Sequence, residues 1–173
     1  MMKPNKLNKL SKKIFSYRVL VQLLLLVAVY WGIQFWQTSG SIKGVAPVIL
    51  DQSVQGDVID LNKYKSKPVL VYFWAEWCPI CKFENSAIEE LSKDYQVISV
   101  ATFINNKEDL LKYIKDENFS MSIVLDEDNE WAKLYKVNAV PTSFMIDSGG
   151  NIRFVEKGLT SSIGLRLRMW WLQ

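Results

Sequence analysis

The stretch Val69–Glu84, VLVYFWAEWCPICKFE, constrains this chain more than any other. Its first six residues, Val69 to Trp74, are an unbroken apolar and aromatic run, the pattern of a strand buried on both faces of a sheet. After a short exit, Ala75-Glu76-Trp77, the period changes. Ile80, Phe83, Ala87, Ile88 and Leu91 recur at three- and four-residue steps, which reads as a helix. Pro79 suits the first turn of that helix, where a missing N–H costs nothing and the fixed φ is already helical. Cys78 is therefore expected at a helix N-terminus, just past the C-terminal end of a strand.

That position favours thiol chemistry. Unpaired backbone N–H groups and the positive end of the helix dipole stabilise a thiolate and lower its pKa. Cys81 lies one turn on, within reach of Cys78. One thiol can attack a partner disulfide and the second can resolve the mixed disulfide, so Cys78 reads as the attacking and Cys81 as the resolving residue. The same CxxC spacing also serves as half of a zinc site, which takes four ligands from Cys, His and carboxylates. With no His and no third Cys, the chain argues against zinc, and equally against a Cys–His protease. A copper carrier would want more sulfur or imidazole than two Cys supply. No metal and no cofactor is called for, since the electrons reside in the dithiol pair.

Charge is unevenly placed. Lys3, Lys6, Lys9, Lys12, Lys13 and Arg18 supply six of the 21 basic residues, and no acid precedes Asp51. The remainder carries 15 basic against 18 acidic residues, a net of −3, which argues against nucleic acid and for a membrane-topology signal. Val19 to Trp36 is free of charge and meets the lower length for a spanning helix, with Tyr30, Trp31, Phe35 and Trp36 at its far end. A cleaved signal peptide is the competing reading. Its apolar region would be unusually long, and no small-x-small site follows closely, so an uncleaved anchor is favoured. The expected organisation is a basic cytoplasmic N-terminus (1–18), an anchor (19–36), a linker (37–44) and a folded domain (45–173) outside the cytoplasmic membrane.

FWAEWCPIC resembles the active-site stretch of the thioredoxin superfamily. The run Ala46–Gly158 is similar to its membrane-anchored TlpA/ResA/DsbE-like branch, and the closing GLRLRMWW, Gly164–Trp171, looks most like the ScsD-type protein disulfide oxidoreductases. The resemblance implies a thioredoxin-like α/β three-layer sandwich with an N-terminal β-hairpin and a central insertion, here preceded by one transmembrane helix. It implies protein thiols and disulfides as substrates, a reducing direction, and a membrane electron donor or acceptor of the DsbD type as a possible partner. It matches Val140-Pro141-Thr142 to the family's cis-proline loop, a clamp for substrate backbone. It also matches Glu84, three residues after Cys81, to a Glu beside the active site, where a buried carboxylate could take the proton of Cys81. The buried Asp of thioredoxins has no counterpart, since Tyr72 stands at that position. Trp77 is read both as a contact surface for partner proteins and as plain packing. A peroxidase on the same fold is the first alternative, although the Pro-x-x-x-Thr-x-x-Cys arrangement is absent before Cys78. A non-catalytic binding module using the groove at Pro141 is the second.

The rest of the chain alternates. Short strands are expected at Val48–Leu50 and Asp57–Asp60 around a Gln55-Gly56 turn, and a buried strand at Gln96–Phe103. Lys107–Asn118 and Asn129–Tyr135 read as helices, the second with Trp131, Leu134 and Tyr135 inward, and Met121–Leu125 as an extended piece. This order predicts a parallel pair at the sheet centre. Strands at Ser143–Ile146 and Ile152–Glu156 should form a hairpin over the turn Asp147–Asn151. Ser161–Leu172 reads as a closing helix apolar nearly all round, with Ile163, Leu167 and Trp170 on one face and Leu165, Met169 and Leu172 on another. Core packing explains one face; contact of the other with membrane or a partner is the alternative, and burial of both is the favoured reading.

Overall fold

The structure, a computed structural model, describes residues 18–29, 32, 42–64 and 66–173. The chain divides into two units, Met1–Ser39 and Gly40–Gln173. In the first, residues 18–29 form a helix, α1. The rest of the expected anchor, apart from Gly32, lies outside the described residues, as do the basic residues before Arg18. Among the described residues, no helix is long and apolar enough to cross a membrane.

The second unit is built on a mixed six-stranded sheet in the order β1-β8-β7-β4-β5-β6. Its strands are β1 (Gly44–Val45), β4 (Val69–Trp74), β5 (Gln96–Thr102), β6 (Ser122–Asp126), β7 (Thr142–Ile146) and β8 (Asn151–Lys157). Helices are α2 (Pro79–Ser92), α3 (Lys107–Glu117), α4 (Glu130–Leu134) and α5 (Ser162–Trp171). β4 pairs in parallel with β5 and antiparallel with β7, and β5 runs parallel to β6, so the expected parallel pair lies at the centre.

All six β4 residues are buried because each face of the strand meets a different layer. Leu70, Tyr72 and Trp74 pack with Cys81, Ile88 and Leu91 of α2, Leu110 and Ile114 of α3, and Leu165 and Met169 of α5. Val69, Val71 and Phe73 face the other layer, with Ile49, Ile59, Ala132 and Tyr135. Aromatic contacts fill that second layer, Phe73, Tyr135 and Phe144 meeting at centroid distances of 5.0 to 5.7 Å.

The expected N-terminal hairpin forms a two-stranded sheet of its own, β2 (Leu50–Gln52) against β3 (Val58–Asp60). Its turn covers the exposed edge of β6: Val54 N–H donates to the Ile123 carbonyl at 2.8 Å, and the Gln55 amide bonds the Met121 carbonyl and the Ile123 N–H. β1, a two-residue pairing onto β8, is an element that the sequence pattern did not reveal.

Two expectations about side chains fail. Leu134 is exposed, since α4 turns only Ala132 fully inward and Tyr135 reaches the core from the helix end. On α5, Leu165 and Met169 are buried, whereas Ile163, Leu167 and Trp170 lie in solvent. One face of a helix laid on a sheet is enough to complete the layer, and among the described residues nothing covers the other.

Candidate active site

The apolar run ends at Trp74, whose indole N–H donates to Ser99 Oγ at 2.7 Å inside the core. Ala75 accepts from the Cys78 N–H at 3.3 Å, which turns the chain into α2. Cys78 is the N-cap of that helix: its backbone is extended, φ −87 and ψ 110, and its Sγ accepts from the Cys81 N–H at 3.2 Å, with Pro79 in the first turn. This is the geometry that stabilises negative charge on the first sulfur.

Cys78 and Cys81 form a disulfide with a Cα–Cα separation of 5.3 Å. Cys78 is 4% exposed and Cys81 is 0%. Cys78 is more enclosed than a helix start suggests. The reason is the loop before β7. The Val140–Pro141 peptide is cis, and the Val140 carbonyl oxygen lies 3.8 Å from Cys78 Sγ. Thr142 ties that loop down through a hydroxyl bond to the Ala139 carbonyl at 2.7 Å, and the Pro141 carbonyl accepts from Gly158 N–H at 2.9 Å. The structure thus brings Cys78, Cys81, Val140, Pro141 and Thr142 to one end of the sheet.

Glu84 shares the buried face of α2 with Cys81, one helical step away, and is 1% exposed. Oε1 accepts from the Thr160 N–H at 3.0 Å, while Oε2 has no partner among the described residues. Burial pushes its pKa up to about 7, against the lowering effect of the Thr160 N–H. The surrounding layer is that of Tyr72, whose buried hydroxyl is also without a partner and is held protonated by burial, by Glu84 and by Tyr113. Asn85 and Tyr113 complete this polar group through an amide–hydroxyl bond of 3.3 Å. Phe73 lies in the opposite layer and takes no part.

Glu76, read from the sequence only as part of the exit from the central strand, is 7% exposed and has a definite position. Its Oε1 accepts from the N–H groups of Asn105 and Asn106 at 2.7 and 3.2 Å, fastening the exit from β4 to the start of α3. No spacing rule signals this, because the partners are about thirty residues away in sequence.

Trp77 is partly packed and partly open. Its indole N–H donates to the Phe103 carbonyl at 2.7 Å, yet the residue is 49% exposed. Phe103, with φ 51, is fixed in turn by its N–H donating to Asn129 Oδ1 at 2.8 Å. Ile80 and Phe83, also exposed, extend Trp77 into an apolar rim on the first turns of α2.

Residues 42–155 match the AhpC/TSA family. A "Thioredoxin-like protein" of Haemophilus influenzae is 35% identical over 124 residues, covering 70% of this chain and 74% of that protein. "Thiol-disulfide oxidoreductase ResA" of Bacillus thuringiensis is 27% identical over 151 residues, covering 83% of this chain and 87% of the relative. The crystal structure of StoA from Bacillus subtilis superposes with a TM-score of 0.64 at 25% identity, covering 75% of this chain and 98% of that one.

Proposed function

The chain belongs to the AhpC/TSA family and is a thiol–disulfide oxidoreductase of the ResA and StoA type, and we propose that it is a membrane-anchored reductant of protein disulfides outside the cytoplasmic membrane. One observation carries the reading of the site: a cysteine pair whose first sulfur caps a helix and accepts an amide hydrogen bond, beside the carbonyl of a cis-proline loop.

In the reaction we propose, the Cys78 thiolate attacks one sulfur of a substrate disulfide and forms a mixed disulfide, and the other substrate sulfur leaves as a thiolate. Cys81 then loses its proton to Glu84 and attacks Cys78 Sγ. The Cys78–Cys81 disulfide forms, and the second substrate thiolate is released. Two electrons pass from the dithiol to the substrate, so a membrane donor of the DsbD type would restore the pair. Val140, Pro141 and Thr142 offer the substrate backbone an edge next to Cys78, and Trp77 offers an apolar contact.

The anchoring rests on the uncharged segment 19–36 behind a basic N-terminus, and the reducing direction on the branch that the sequence resembles. The roles are tested by Cys81→Ser, which should accumulate mixed disulfides through Cys78; a variant that traps no protein would overturn them. Alkylation of thiols in intact cells tests the direction. A largely reduced pair supports the reductant, and a pair found wholly as the disulfide overturns it. A peroxidase would instead consume hydroperoxide in the purified state, which this reading excludes.

A further inference from the structure

The first strand and the last residue of the folded domain reach the same end. β1 pairs with the first residues of β8, and Val45 shares a cleft with Leu61, Tyr64, Val69 and Gly150. Gln173 shares another cleft with Lys67, Pro68, Tyr95 and Gln96, the residues that lead into β4 and β5. Both clefts lie where those parallel strands begin, whereas the cysteines lie where β4 ends. Six residues of strand at about 3.3 Å each separate the two ends by about 20 Å.

This end has an unusual surface. Trp170 is 63% exposed and Trp171 76%, at the tip of a helix that is held to the domain by Leu165 and Met169. The two arginines of α5 are already engaged, Arg166 with Asp94 and Arg168 with Glu156. Lys43, Lys63 and Lys67 are exposed at the same end and have no carboxylate partner among the described residues. Indoles prefer the headgroup region of a bilayer, where the ring is half buried and its N–H stays wet. Lysines add attraction to anionic headgroups. Between Trp36 and Gly44 the chain can span no more than about 29 Å.

We propose that this end of the domain lies on the bilayer surface, with Trp170 and Trp171 among the headgroups and Lys43, Lys63 and Lys67 against anionic lipid. The proposal rests on the anchored reading above and adds an orientation to it. The disulfide faces away from the membrane, and the α5 tip is a second point of attachment. Exposure of Trp170 and Trp171 at the end that β1 reaches then has a physical cause.

The test uses the full chain labelled with 5-fluorotryptophan, in nanodiscs of mixed anionic and zwitterionic lipid doped with a gadolinium-chelating headgroup lipid. The seven tryptophan resonances are assigned by single Trp→Phe substitutions. The expected result is loss of the Trp170 and Trp171 signals together with those of Trp31 and Trp36, while Trp77, beside the disulfide, stays sharp. Recovery of Trp170 and Trp171 in Lys43→Gln/Lys63→Gln/Lys67→Gln, with Trp31 and Trp36 still broadened, would support the electrostatic part. Sharp Trp170 and Trp171 with broadened Trp31 and Trp36 would overturn the proposal and leave the anchor standing. Four sharp signals would remove the anchor as well. Broadening of Trp170 and Trp171 that needs no gadolinium and rises with protein concentration would overturn it in favour of a second copy of the chain.

Discussion

A carboxyl group at position 84, enclosed and with one oxygen unpartnered, opposes folding whenever it is ionised. Its pKa in the folded protein, about 7, lies above the ordinary 4.5, so folding favours the protonated form. The associated stability is fully present below pH 4.5 and is lost as pH rises through about 7. That span corresponds to at most about 3 kcal/mol. Glu84→Gln retains an acceptor for the Thr160 N–H and does not ionise. Urea unfolding should therefore show the variant gaining on the wild type between those two pH values, and parallel curves would remove the raised pKa. In stopped-flow reduction of a disulfide substrate, the variant should resolve the mixed disulfide more slowly and lose the inflection near pH 7. Identical profiles would leave Glu84 without a part in proton transfer. The sequence pointed to this residue through a resemblance, since spacing alone also describes a solvated helix charge. One of its oxygens is held by Thr160, whose N–H reaches across from the segment before α5.

Elements were legible where a strong period met a stop signal. The strand β4, the helix α2 with Pro79 in its first turn, and the β7–β8 hairpin all fall within a residue or two of the sequence reading. The failures share a cause. β1 is two residues long and exists only because β8 offers it an edge, so no periodicity announces it. The faces of α5 are both apolar, and only the packing against β4 and α2 selects Leu165 and Met169. Glu76 is hidden for the same reason, since its bonds join the exit of β4 to the start of α3. Glu76→Ala would leave two N–H groups without their acceptor, and should lower stability by about 1–3 kcal/mol. Glu76→Gln should recover most of it. Thermal melts of the oxidised proteins check both, and an unchanged Glu76→Ala would show that water replaces the carboxylate without loss.

On the scale of the molecule, the topology makes a prediction independent of any redox assay. A reporter active only outside the cytoplasmic membrane, fused after Gln173, should be active, and a reporter working only from the cytoplasm would reverse the orientation read from the six early basic residues. A different consequence follows from the bonds that run from Asn129 to Phe103 and from Phe103 to Trp77. The rim next to the cysteines takes its shape from the segment after β6, while the Cys78 sulfur takes its charge stabilisation from α2. Trp77→Phe removes the indole N–H and keeps an aromatic face. It should raise KM for a protein substrate several-fold and leave the Cys78 thiol pKa where it was, and a shifted thiol titration would refute the separation. Choice of client and the redox character of the cysteine pair are then adjustable by different stretches of chain, so this scaffold can be retuned to new clients while its chemistry stays constant.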